Sequence, residues 1–105
     1  MNQSAYLVKR LADELDAPDT GKQSVVLNDN PKTKGILFSF ATGSGLAEHV
    51  APCDATIQII SGTASMTIGD ESVEGKSGTW LQMPPKTPHS NKAETPVVML
   101  HTLVK

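Results

Sequence analysis

The chain has 105 residues, a formal net charge of −2, 38% hydrophobic and 19% charged residues, three histidines and one cysteine. This length and composition predict one folded domain with one modest core, too short for two and too apolar for disorder. No Lys/Arg cluster offers the basic face that phosphates need, so nucleic acid is not an expected partner. No apolar run approaches the ~20 residues of a bilayer span, so a membrane is not expected either.

No signal peptide is expected, because Met1–Tyr6 shows no basic region leading into an apolar core. The lone Cys53 allows no internal disulfide and predicts a reducing, cytoplasmic setting.

Along the chain, Leu7, Leu11 and Leu15 recur at helical spacing. A helix is one reading; a short strand at 5–9 leading into one helical turn at 11–15 is the other. Asp16–Lys22 contains Pro18 and Gly21 and reads as a loop. From Ser24 onward the pattern is short strands broken by turns. Ser24–Leu27 is a strand and Asn28–Pro31 a turn. Gly35–Thr42 is a strand with Ile36, Phe38 and Phe40 on one face. A loop follows at Thr42–Gly45.

Ala55–Ile60 places Ile57 and Ile59 on one face, with Thr56, Gln58 and Ile60 on the other. Ser61-Gly62 bends the chain into Thr63–Ile68, where Ala64, Met66 and Ile68 share a face. Gly69-Asp70 is a hairpin turn into Glu71–Glu74. After a turn at Gly75–Gly78 comes Thr79–Met83, then the rigid loop Pro84–Pro88. The last strand, Val97–Val104, is apolar on both faces apart from His101 and Thr102, which predicts burial between two layers. Short strands at this spacing imply an all-β sandwich or barrel.

Two stretches then carry a resemblance. Gly43, His49 and Gly62 stand in the register of the first cupin motif. Gly78, Pro84 and His89 stand in the register of the second. Fifteen residues separate Gly62 from Gly78, the short spacing of microbial members. Asp54–Gly62 and Met83–His89 are similar to the corresponding segments of small single-domain cupins. The resemblance covers roughly 35–105. It implies a double-stranded β-helix barrel (a cupin jelly roll), and often a homodimer. On this reading residues 1–30 form an N-terminal extension that packs on a barrel of residues 31–105.

The sequence departs from the family pattern at four places. The second histidine of the first motif is Ala51, and its glutamate is Ala55. The glycine of the second motif is Lys86, and its asparagine is Ala93. Of the four usual metal ligands only His49 and His89 carry over.

Metal chemistry normally needs about three protein ligands and an open position. Candidates for the third are His101, Cys53, Glu48 and Gln58. His101 joins the site only if its face, shared with Val97, Met99 and Leu103, looks into the barrel. The resemblance implies a divalent transition metal (Zn, Fe, Ni or Mn) at His49 and His89, with His101 taken as the third ligand. It also implies a small organic ligand at the barrel mouth, with Gln58, Met66, Trp80 and Met83 as contacts. Trp80, Met66 and Met83 equally suit the core.

Two functions stay open. One is a metal-dependent oxygenase or isomerase acting on a small molecule. The other is a metal-free barrel that binds or senses a small ligand, with His49 and His89 as its polar groups. A solid barrel serving only as a structural partner is a third outcome. The alanines at 51 and 55 are expected to widen the mouth and make it more apolar.

Overall fold

The structure, a computed structural model, describes residues 6–16 and 18–105. Among the described residues one short helix, α1 (Leu11–Glu14), precedes nine strands: β1 (Lys22–Asp29), β2 (Thr33–Phe40), β3 (Gly45–His49), β4 (Asp54–Ser61), β5 (Ala64–Ile68), β6 (Glu71–Gly75), β7 (Trp80–Met83), β8 (His89–Ala93) and β9 (Val97–Val104). They form a five-stranded sheet in the order β1-β2-β9-β4-β7 and a four-stranded sheet in the order β3-β8-β5-β6. All pairings are antiparallel. The fold is all-β, a double-stranded β-helix whose two sheets face each other across one core.

Alternation decides what fills that core. Ala55, Ile57 and Ile59 of β4 point inward and are buried, while Gln58 is exposed. Ala64 and Met66 of β5 are buried against exposed Ser65 and Thr67. With Phe40, Met83, Ala93, Val97 and Met99 they make one buried cluster.

β9 lies between β2 and β4, as a strand apolar on both faces should. The other face of β2 is buried too. Leu37 and Ser39 have no exposed surface, and the Ser39 hydroxyl donates to the Asp16 carbonyl at 3.2 Å. Residues of the N-terminal segment therefore reach the back of the five-stranded sheet.

Within residues 1–30, Lys22–Asp29 is an integral strand of that sheet, paired along its length with β2. Tyr6–Lys9 forms no strand, and Ala5 lies outside the described residues. The helical turn at 11–14 stands as the second N-terminal reading had it.

Two strands carry no clear hydrophobic alternation in the sequence. β3 reads Gly-Leu-Ala-Glu-His and β8 reads His-Ser-Asn-Lys-Ala. They are strands because they pair, β3 with β8 and β8 with β5. Both end at the mouth of the barrel, and each carries a motif histidine.

Candidate functional site

His49 ends β3 and His89 begins β8, and the two are direct partners across the antiparallel pair. Residues so opposed place their side chains on the same face. Their ring centroids lie 4.0 Å apart. His101 comes from the opposite sheet, where it pairs with Ile36 on one side and Ile57 on the other. It points inward, is buried, and lies 6.3 Å from the His89 ring. The edge of Phe38 packs on it at 5.0 Å. Thus all three histidines meet at one end of the barrel, two from the four-stranded sheet and one from the five-stranded sheet.

They line a cavity of about 490 Å³, a size common for small-molecule sites. Its walls are mostly apolar: Ile36, Phe38, Leu46, Val50, Pro52 and Leu103. Ala51 and Ala55 also line it. Neither alanine offers a donor atom, and their small side chains leave room at the positions where the resemblance places ligands. Glu48 is the one charged side chain in the lining among the described residues; no Lys or Arg is there.

Two of the histidines, His49 and His89, are tautomerically defined. Nδ1 of His49 lies 2.8 Å from the Ala47 carbonyl, and Nδ1 of His89 lies 2.8 Å from the Thr87 carbonyl. A carbonyl only accepts, so each Nδ1 carries a hydrogen and each neutral ring keeps its lone pair on Nε2. Such backbone tethers fix ring orientation, as they do for metal-binding histidines.

His101 differs, because its Nε2 is fully buried with no hydrogen-bond partner. Burial pushes its pKa down from 6.5 to about 4, with the nearby His89 and His49 adding smaller contributions. Burial also lowers the pKa of His89; the hydrogen bond to Thr87 opposes this, and His49 adds to it.

The spacing bears on metal binding. Metal–nitrogen distances of ~2.0–2.1 Å put two imidazole centres on one tetrahedral ion roughly 5 Å apart. The His49 and His89 rings, 4.0 Å apart, would have to part by about 1 Å to share such an ion, and His101, 6.3 Å from His89, would have to approach by about as much. Among the described residues no three His, Cys, Asp or Glu side chains group as metal ligands. The described residues do not form a three-ligand centre, and His49 and His89 are the pair whose Nε2 atoms are left free by their backbone tethers.

The other candidates separate clearly. Met66 and Met83 are almost fully buried in the core and do not line the cavity. Gln58 and Trp80 face each other across β4 and β7 on the outer surface, and Trp80 is 59% exposed. Strand alternation puts both on the opposite face from Ala55 and Ile57, so their expected part in the mouth is not what the fold gives. Cys53 is half-buried and outside the cavity lining, and Glu48 is exposed at its rim.

The sequence reading missed the apolar wall. Ile36 and Phe38 share a face already visible in β2, and Leu103 shares the His101 face, so parity alone would have named them once His101 faced inward.

Comparison with solved structures decides the fold family. A conserved protein of unknown function from Streptococcus pyogenes is 28% identical, with a TM-score of 0.85 over 99% of this chain and 90% of that one. A cupin superfamily protein from Desulfitobacterium hafniense is 20% identical, with a TM-score of 0.85 over 97% of this chain and 93% of that one.

The chain has the fold of a small cupin domain.

A cupin 2 conserved barrel domain protein from Leptotrichia buccalis is 27% identical, with a TM-score of 0.84; the match covers 90% of this chain but 46% of that longer chain. No protein-family model and no curated protein matches the chain. No helix among the described residues is long and apolar enough to cross a membrane.

Proposed function

We propose that this cupin-fold protein binds a small organic molecule in the cavity at the barrel mouth, with its polar part against the histidines. One observation carries the reading. An apolar cavity of about 490 Å³ has a polar edge made of His49, His89 and His101, and the Nε2 atoms of the first two carry free lone pairs. Apolar walls with a few convergent polar groups are the usual design of a small-molecule site.

Fragment titration followed by NMR tests it. One- and two-ring organic fragments should shift the signals of Ala51, Ala55 and the three histidines. Fragments that bind only elsewhere, or none that bind at all, would overturn it.

A second reading is favoured by the paired, tethered rings of His49 and His89. They would hold a divalent transition metal as two of its ligands, with the other positions open to water or ligand. Such an ion polarises a bound oxygen as a Lewis acid. Elemental analysis of protein purified without chelator tests this. The reading predicts near-stoichiometric metal that falls in His49→Ala. Less than about a tenth of an equivalent, unchanged by that substitution, contradicts it. Homodimerisation, a further expectation of the resemblance, is open to sedimentation.

A further inference from the structure

We propose that the cavity selects its ligand by hydrogen donation. It takes an uncharged, largely apolar molecule whose polar group carries a hydrogen, a hydroxyl or a ring N–H, and it rejects anions. The inference rests on the cavity being a ligand site and adds the class of ligand.

His49 and His89 set the polarity of the mouth. Nδ1 of each holds its hydrogen against a backbone carbonyl at 2.8 Å, so Nε2 of each neutral ring can only accept. Both residues line the cavity, with ring centroids 4.0 Å apart. Among the described residues, the buried side-chain atoms without a partner are Nδ2 of Asn91 and Nε2 of His101. Nε2 of His89 is not one of them. It has no partner in the chain, and it keeps access to solvent although the residue is only 4% exposed. His89 is a wall of the cavity, so that access opens onto the cavity. His49 is exposed at the same edge. Nε2 of His101 is sealed off and offers a ligand nothing.

The rest of the lining adds to this bias. Glu48 is a carboxylate, again an acceptor. No Ser, Thr, Tyr, Asn, Gln, Lys or Arg side chain lines the cavity among the described residues. The other walls are aliphatic apart from Phe38.

A ligand therefore has to bring the hydrogen. An ether or ketone sets its lone pairs against those of the two Nε2 atoms, and both sides lose their bonds to water. A carboxylate does the same, and loses its hydration with no cation to replace it. An ammonium donates, but the apolar walls strip its hydration too, and Glu48, exposed at the rim, is a weak counter-charge.

Matched ligands test this by calorimetry at pH 8, where imidazole and phenol groups are both uncharged. In two pairs a methyl group replaces the donated hydrogen: 2-naphthol with 2-methoxynaphthalene, and indole with 1-methylindole. The first of each pair should bind at least about fivefold tighter. The anion 2-naphthoate and the cation 2-naphthylmethylammonium should both bind more weakly than 2-naphthol. Equal binding within both pairs overturns the donor assignment and leaves the cavity as a ligand site. A preference in one pair alone overturns the class, and tightest binding by either ion overturns the exclusion of charge. Binding by none of these molecules overturns the assignment and counts against the cavity itself.

The double variant His49→Phe, His89→Phe separates donation from the bulk of the added methyl. The preference within each pair should shrink to within about twofold. An undiminished preference is a steric effect and overturns the role of the two histidines. Should the double variant not fold, the single variants are compared instead. At least one of them should lose most of the preference, and an unchanged preference in both overturns the assignment.

Discussion

The two ends of this barrel are built on the same strands and differ in what the strands present. Ile59 and Met99, directly opposed on β4 and β9, are fully buried. Two positions along, Ile57 opposes His101, and two further, Ala55 opposes Leu103. β2 runs the same course, from Phe40 without exposed surface, through Phe38 stacked on it at 5.7 Å, to Ile36 at the mouth. At one end large apolar side chains meet and fill the space. At the other, alanines and histidines leave it open. On these strands the cavity comes from side-chain size and polarity, with the β4–β9 register continuous from Asp54 to Ile59. Stability should concentrate at the filled end and ligand chemistry at the open one.

Substitutions at the two ends can break that contrast. The largest effect is expected at the filled end, where Ile59→Ala leaves a hole in close-packed surroundings. It should cost ~2–5 kcal/mol in urea unfolding. A loss below ~1 kcal/mol would mean that the end is not packed as described.

Next comes the acid limb of stability. His101 has a pKa of about 4 when folded against 6.5 for the ordinary group. Between these values the unfolded chain binds the extra proton. Its contribution is therefore fully present above pH ~6.5 and lost as pH falls through 4. The size is about 3 kcal/mol for a shift of this extent. His101→Phe should flatten unfolding free energy against pH in that window, and an unchanged slope would show that His101 is not held neutral by burial.

Ala55→Leu tests the open end. Its added carbons enter existing space, so stability should move by less than ~1 kcal/mol, measured by thermal unfolding. The smallest effect is at Lys86, whose φ of +66° is left-handed. Its amide donates to the Ala51 carbonyl at 2.8 Å and ties the Pro-rich loop to the mouth. Lys86→Gly relieves the strain but frees the unfolded chain, for a net gain of ~1 kcal/mol or less. A clear loss of stability would place the value of Lys86 in its side chain.

Much of this contrast was readable from residue patterns. The filled end is written in alternation: Ile57 and Ile59, Ala64 and Met66, Val97 and Met99 all lie inward, and β9 keeps the limits read for it. The open end is written differently. β3 and β8 have no alternation to find, because half-exposed short strands at the mouth are held by pairing with neighbours. His49 and His89 were found through motif register instead, and Lys86 adopts the left-handed backbone suited to the glycine of that motif.

The facing of His101 depended on which side of β9 looks inward. Strand parity narrows this to two choices, and the neighbouring strands β2 and β4 settle it. Gln58 and Trp80 were misplaced for the converse reason. They belong to strands that reach the mouth, but to the faces that turn away from it.

The central claim is that the open end binds the ligand. Affinity for 2-naphthol in Ala55→Leu, measured beside its melting temperature, tests this most directly. The account predicts that binding falls by at least about tenfold while the melting temperature stays within a few degrees of the unsubstituted protein. A folded Ala55→Leu variant that binds 2-naphthol with undiminished affinity would contradict it.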